Sequence, residues 1–202
     1  MARMPLTKEE ALPMKLVLNV ESVGLTEEQF FQLCSDNGDL RMELTAQKEL
    51  IVMSPVGLKS NWRETVLSTR LMNWAEVDGT GIALGPSGGY TLPNSAIRGP
   101  DASWIRRERL SGFTEEELEK FAHLCPDFAA EIMSPSDTLR ETQGKMAEYV
   151  ANGAQLGWLI DPYNARVYVY RPGQTVECLE NPTTISGDPV LPGFIFNVAE
   201  IW

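Results

Sequence analysis

Phe128-Ala129-Ala130-Glu131-Ile132-Met133 is an almost unbroken apolar run with a single acid inside it. Runs of this kind occur in strands buried on both faces. An ionised carboxylate in such a strand is costly unless it is paired or bound to a metal. Glu131 therefore needs a partner, and the flanking sequence supplies candidates.

Ser134-Pro135-Ser136-Asp137-Thr138 follows as a turn and helix start. Leu139, Met146, Tyr149, Val150 and Gly153 then trace a core-facing stripe toward Asn152-Gly153, where the helix should end. Lys145 lies beside that stripe, two turns in. Upstream, Asp101-Ala102-Ser103-Trp104-Ile105 reads as a strand with Asp101 on or just before it. Two carboxylates at strand ends and a lysine on the next helix form a chemically meaningful set. The acids can hold a hard divalent ion, and the amine can orient or deprotonate water. The alternative for Glu131 is a buried ion pair with Lys145 or a nearby arginine.

The rest of the chain alternates similar pieces. Thr26-Glu27-Glu28-Gln29 has capping-box form and opens a short helix that Asp36-Asn37-Gly38 ends. Leu40–Thr45 and Glu49–Met53 form an expected hairpin around Ala46-Gln47-Lys48. From Leu58 to Val77 the spacing of Trp62, Val66, Leu67, Leu71, Met72 and Trp74 predicts a long amphipathic helix stopped by Asp78-Gly79. Thr80 to Ile105, rich in Gly and Pro, should hold two or three strands joined by tight turns. A second capping box at Thr114-Glu115-Glu116-Glu117 predicts a helix through Leu124. Trp158-Leu159-Ile160 and Val167–Tyr170 form an expected hairpin extending the same sheet. The length of 202 residues suits one domain over 1–202, with 1–24 as an N-terminal extension.

Composition narrows the partners. Met1 to Val20 has mixed charge and no run of about 18 apolar residues, so it reads as neither secretion signal nor membrane anchor. Cys34, Cys125 and Cys178 are odd in number and widely spaced, which disfavours a disulfide framework or a thiolate zinc site and suits a reducing, cytoplasmic setting. The net charge of -11 is awkward for a nucleic-acid enzyme. Lys59, Arg63 and Arg70 along the long helix, and Arg98, Arg106, Arg107 and Arg109 around Asp101, are candidate basic patches, with ordinary solvated faces as the simpler reading.

Other candidates are weaker. Glu43, between Met42 and Leu44, reads by alternation as an outward-facing acid. Gln143 suits a capping or supporting role. His123, the one histidine, has no Ser or Cys motif to pair with and reads as a surface or packing residue. Gly85-Pro-Ser-Gly-Gly89 lacks the Lys-Ser/Thr of a phosphate loop and reads as a turn.

Together, Pro100-Asp101-Ala-Ser-Trp104, Cys125-Pro-Asp-Phe128, Glu131-Ile-Met-Ser-Pro-Ser-Asp137, Lys145-Met-Ala-Glu-Tyr149, Asn152-Gly-Ala154, Gly157-Trp-Leu-Ile-Asp-Pro162 and Leu191-Pro-Gly-Phe194 resemble the Uma-two family of the PD-(D/E)XK nuclease superfamily. The resemblance spans roughly Leu25 to Trp202. It implies an α/β fold: a restriction-endonuclease-like core with a mixed central sheet flanked by helices, preceded by an N-terminal helix and hairpin. By position it gives Asp101 as the acid of the PD element and Glu131 as that of the (D/E)XK element. Met133 stands where the simplest superfamily pattern has lysine, a role the resemblance moves to Lys145 on the next helix. Glu43 matches a frequent family acid of the early hairpin.

The expected activity is hydrolysis of DNA phosphodiesters with Mg²⁺ or Mn²⁺ held by Asp101 and Glu131, with nucleic acid as partner and no membrane. A homodimer would suit cleavage of both strands of a duplex. The competing readings are an interaction protein that keeps the nuclease fold without catalysis, and a hydrolase of another phosphate ester.

Overall fold

The computed structural model describes residues 15–202. Its centre is a six-stranded mixed sheet, and its N-terminal half adds a five-stranded antiparallel one. The N-terminal sheet contains β1 (Lys15–Asn19), β2 (Arg41–Leu44), β3 (Glu49–Met53), β5 (Tyr90–Thr91) and β6 (Ile97–Arg98), in the order β1-β3-β2-β6-β5. The central sheet contains β4 (Gly81–Leu84), β7 (Ala102–Arg106), β8 (Phe128–Ile132), β9 (Leu156–Asp161), β10 (Arg166–Tyr170) and β11 (Glu177–Glu180), in the order β11-β10-β9-β8-β7-β4. Its one parallel pair is β8–β9, joined across the face by α5 (Leu139–Ala151). A small pair, β12 (Ile185–Ser186) and β13 (Ile195–Phe196), lies near the C-terminus.

Residues of β8 alternate between two apolar layers, and this alternation positions the site. Phe128, Ala130 and Ile132 join Leu67, Leu71 and Ala75 of α2 (Leu58–Asp78) on one side. Ala129 and Met133 join Met146 and Tyr149 of α5 on the other. All five residues of β8 are buried, as its composition required. Glu131 shares the parity of Ala129 and Met133, so its carboxylate emerges on the α5 side.

Both predicted capping boxes form. Thr26 caps α1 (Glu27–Asp36) reciprocally with Gln29 and, after the one-turn α3 (Arg107–Leu110), Thr114 caps α4 (Glu115–Leu118) with Glu117. The α4 helix closes at Leu118 rather than Leu124, because the chain turns to place Phe121 against Phe30 and Phe31. Between Thr80 and Arg106 there are four strands instead of two or three. Gly79, at φ 73°, ends α2 in the left-handed conformation that favours glycine, its N–H returning to the Ala75 carbonyl. Lys15–Asn19, assigned from sequence to an extension, pairs along β3 as an edge strand; residues 1–14 of that extension lie outside the described residues.

The buried face of α2 differs from the predicted stripe. Trp62 and Met72 are exposed, whereas Ser60, Arg63, Glu64, Leu67, Leu71 and Ala75 face inward. The N-terminal half of that face is polar because it borders a cleft.

Candidate active site

The ladder between β7 and β8 brings the two strand-end acids together. Asp101 precedes β7, and its N–H donates to the Ala130 carbonyl at 3.0 Å. Its Oδ2 accepts the Ile132 N–H at 2.8 Å, so the side chain continues the ladder where backbone pairing stops. Glu131 is the residue between. The register alone therefore fixes Asp101 and Glu131 at one end of the sheet.

Lys145 reaches the same place from α5. Its Nζ lies 2.8 Å from Glu131 Oε1 and 2.7 Å from Glu43 Oε1. Tyr149, one turn further along α5, donates its hydroxyl to Glu131 Oε1 at 3.1 Å. Glu43, on β2, is 4 % exposed and faces inward, contrary to the outward orientation suggested by its flanking residues. Its Oε1 also accepts the Gly99 N–H, and its Oε2 accepts from Arg98 at 3.1 Å. Arg98 continues the chain to Glu148 at 2.6 Å, and Asn94 donates to Glu148. Arg41 lies 3.4 Å from Asp101 and 3.9 Å from Glu64 of α2.

The charged groups of this network line a cleft of about 510 Å³ between the two sheets and α2. Its lining holds eight carboxylates, Glu43, Glu49, Glu64, Asp101, Glu131, Asp137, Glu141 and Glu148, and four bases, Lys15, Arg41, Arg98 and Lys145. With every group ionised, four negative charges are left over.

The imbalance is visible in the individual acids. Burial, reinforced by Asp101 and Glu43, pushes Glu131 up to about 8 although Lys145 pulls the other way. Burial and the charge of Asp101 push Glu64 up to about 7. Burial also raises Asp101, outweighing Arg41 and Lys145. Glu43 is the exception: burial opposes its ionisation, but Lys145 and Arg98 together hold it at about 2. Lys145 itself stays charged, since Glu131 and Glu43 outweigh its burial. Glu43 and Lys145 thus form the settled ion pair, and Glu131 is left under-neutralised.

The donor set fits a hard cation that keeps much of its water. Among the described residues, no three His, Cys, Asp or Glu side chains already form a ligand cage. However, Oε2 of Glu131 accepts no hydrogen bond among the described residues, and Oδ1 of Asp101 is met only by Arg41 at 3.4 Å. Two acids with an oxygen each to spare, surrounded by excess negative charge, suit Mg²⁺ or Mn²⁺ with several waters.

A model of the family described as "Uma2: Putative restriction endonuclease" matches residues 27–199. The chain belongs to the Uma2 family. Among solved structures, a protein of Anabaena variabilis ATCC 29413, described as a putative nuclease belonging to DUF820, is similar at 22% identity and a TM-score of 0.69. That match covers 79% of this chain and 88% of the other, and it supports the fold. No curated protein matches.

Within this Uma2 chain, the arginines first grouped around Asp101 divide by position. Arg98 is buried in the site and neutralised by Glu43 and Glu148. Arg106 and Arg109 pair with Asp127 at the opposite end of β7 and β8. Arg63 is also buried, donating to the Ile201 carbonyl. Arg98 and Arg63 are thus enclosed by the fold, whereas Arg106 stays exposed beside Asp127. His123 is exposed and pairs with Glu27 away from the cleft, and the Gln143 side chain makes no hydrogen bond among the described residues.

Glu64, Arg41 and Glu148 also line the cleft, and Tyr149 supports Glu131 from the core; the sequence patterns assigned none of them to the site. Glu64 carried a usable signal: it occupies the face of α2 that continues through Leu67 and Leu71, where an acid has no place unless it serves a polar cleft.

Proposed function

We propose that this chain is a Mg²⁺- or Mn²⁺-dependent endonuclease that hydrolyses phosphodiester bonds in DNA. The observation that carries this reading is the convergence of Asp101, Glu131 and Lys145, from two adjacent strands and the crossover helix, in one under-neutralised cleft. Asp101 and Glu131 would hold the ion through their spare oxygens, with Glu64 facing the same space. A bound ion would lower the pKa of a coordinated water and offset charge developing on the phosphate.

The protein residues divide the remaining work. Lys145, held charged between Glu43 and Glu131, donates to the attacking water or to a phosphate oxygen. Glu43 fixes the amine's position, and Arg98 with Glu148 fixes Glu43. Tyr149 holds Glu131 in its rotamer from behind, so the carboxylate presents its free oxygen to the cleft. Two copies would be needed to cut both strands of a duplex in one encounter, and a cytoplasmic setting would keep the three free thiols reduced.

A second reading has its own support. The ion-pair chain from Glu131 through Lys145, Glu43 and Arg98 to Glu148 is closed, and the net charge is -11. A non-catalytic interaction protein could keep such a cluster for structure alone. Incubating single-stranded, duplex and branched DNA with and without Mn²⁺ separates the two. The endonuclease reading expects Mn²⁺-dependent cleavage that Lys145→Met lowers by about 10²–10³. No cleavage of any substrate would favour the second reading.

A further inference from the structure

The cleft-facing side of the N-terminal sheet follows from its strand register. Residues directly opposite one another across an antiparallel ladder share a face, and Glu43 of β2 faces the cleft. Ile51 of β3 stands opposite Glu43, and Val17 of β1 stands opposite Ile51. The next row runs Arg41, Met53, Lys15 in the same way. All six residues line the cleft. The face is therefore charged on β2, beside the acids, and apolar one strand further out, on β3.

These apolar side chains have no core to join. Leu50 and Val52, pointing the other way from β3, pack into the cluster that holds Phe30 of α1. Val17, Ile51, Met53 and Val56 belong to none of the three apolar clusters formed by the described residues, and Val17 is 47 % exposed. Val56, between β3 and α2, lines the same cleft. An apolar strip held open beside a polar site is a surface for a ligand.

The basic groups narrow what that ligand is. Each of the four that line the cleft lies within 3.5 Å of a carboxylate: Lys15 of Glu141, Arg41 of Asp101, and Arg98 and Lys145 of Glu43. Nucleic acid held mainly through its backbone needs basic groups for its phosphates, and these are already committed to acids. A nucleobase can supply the missing contact through its flat apolar face. It presents that face only when it is out of the duplex stack.

We propose that Val17, Ile51, Met53 and Val56 form a platform for one unpaired base, so that the cleft takes a nucleotide of single-stranded or locally unpaired DNA, its phosphate at the Asp101–Glu131 end. This rests on reading the cleft as a phosphodiesterase site and names the substrate class of that site. It also addresses the acidity of the chain: stacking and a bound cation supply the affinity, and neither needs a basic surface. Glu43 ties the two parts together. Its Oε1 holds Lys145 at 2.7 Å while its cross-strand neighbour Ile51 begins the platform, so a rigid sheet fixes the spacing between amine and base.

The strip can be altered without damaging the fold. Ile51 and Met53 are half-buried and lie outside the core clusters, so the double variant Ile51→Thr, Met53→Gln removes apolar surface from the cleft rather than from the core. Threonine also keeps the strand preference of a β-branched residue. The double variant should melt close to wild type and bind Mn²⁺ as wild type does.

The test is a methyl chemical-shift titration of the full chain in EDTA with 2′-deoxyadenosine, a neutral probe that has a base and no phosphate. Neither metal nor turnover is involved, so failure of the nuclease reading would not move the result. The expected outcome is saturable ring-current shifts of the Ile51 and Met53 methyls, with those of Ile195, exposed outside the cleft, unmoved. Affinity should fall at least about fivefold in the double variant, the lower end for a stacked base. Fluorescence anisotropy in Ca²⁺ with a labelled single strand, a blunt duplex and a duplex carrying one unpaired base reads the substrate class. The single strand should bind at least about tenfold tighter than the blunt duplex, and the double variant should lose that preference. The third probe tells whether the base comes from a free strand or is displaced from a duplex. Unmoved Ile51 and Met53 methyls, equal titrations in wild type and double variant, or a blunt duplex bound as tightly as the single strand would overturn the assignment. So would methyl shifts on raising protein concentration alone, which give the strip to a second copy, or Overhauser contacts from these methyls to residues 1–14, which give it to the chain's own N-terminus.

Discussion

Lys145 Nζ lies between Glu43 and Glu131, 2.7 Å from one carboxylate and 2.8 Å from the other. One amine cannot fully neutralise two buried acids. Arg98 decides the outcome by adding its charge to Glu43, which leaves Glu131 as the acid with unmet demand. A structural cluster alone would be better served by one acid fewer, and the surplus at Glu131 is what makes the cleft receptive to a cation.

Removing the amine should be expensive. Lys145→Met leaves Glu131 and Glu43 buried without their shared partner, and a broken buried pair costs about 3–5 kcal/mol. Urea denaturation should report a loss of this order in the metal-free protein. Saturating Mn²⁺ should restore part of it by neutralising Glu131. Cleavage, where measured, should fall by about 10²–10³, the usual cost of losing one charge-stabilising donor.

Stability should decline as pH rises through the neutral range. Glu131 is raised from an ordinary 4.5 to about 8, so folding takes up a proton between those values and each pH step upward in that window disfavours the metal-free fold. Glu64, raised to about 7, acts in the same direction. Glu43 acts oppositely: held at about 2, it stabilises above its ordinary 4.5 and loses that contribution as pH falls toward 2. Denaturation midpoints of Glu131→Gln between pH 5 and 9 should therefore slope less than wild type. Parallel slopes would contradict the assignment of the raised acid.

Cation affinity should carry the reverse pH dependence. Binding to Glu131 requires the carboxylate, so Mn²⁺ uptake releases a proton and tightens as pH rises toward about 8. Calorimetry in two buffers of different ionisation enthalpy counts that proton. An affinity that is flat from pH 6 to 8 would count against Glu131 as a ligand.

Glu64→Gln should separate binding from folding. The Glu64 carboxylate accepts no hydrogen bond among the described residues and its one ion-pair partner there is Arg41 at 3.9 Å, so its loss should leave the melting temperature unchanged or slightly higher. Mn²⁺ affinity should drop by about tenfold, the lower end for groups that support a metal site. A large loss of stability with unaltered Mn²⁺ binding would place Glu64 in the fold alone.

Much of this arrangement was legible in the sequence because it depends on local patterns. The apolar run around Glu131 marked a doubly buried strand, and the turn-plus-stripe after it marked the helix that carries Lys145. Motif order supplied Asp101. Glu43 was misjudged from its neighbours because alternation along one strand says which residues share a face, not which face is buried. Here a second sheet folds over the first and turns that face inward. The burial of Arg98 was hidden for a related reason: it lies 55 positions from Glu43 and 50 from Glu148, distances over which sequence spacing carries no information about pairing. The polar half of the α2 face was hidden by Trp62 and Met72, whose spacing mimics a core stripe although both are exposed.

The central claim is that Asp101 and Glu131 hold a divalent cation, and calorimetric titration of Mn²⁺ tests it most directly. Wild type should bind, and the Asp101→Ala, Glu131→Ala double variant, confirmed folded by its circular dichroism, should lose binding by at least about a hundredfold, close to 2.7 kcal/mol. Undiminished Mn²⁺ binding by that folded double variant would contradict the account.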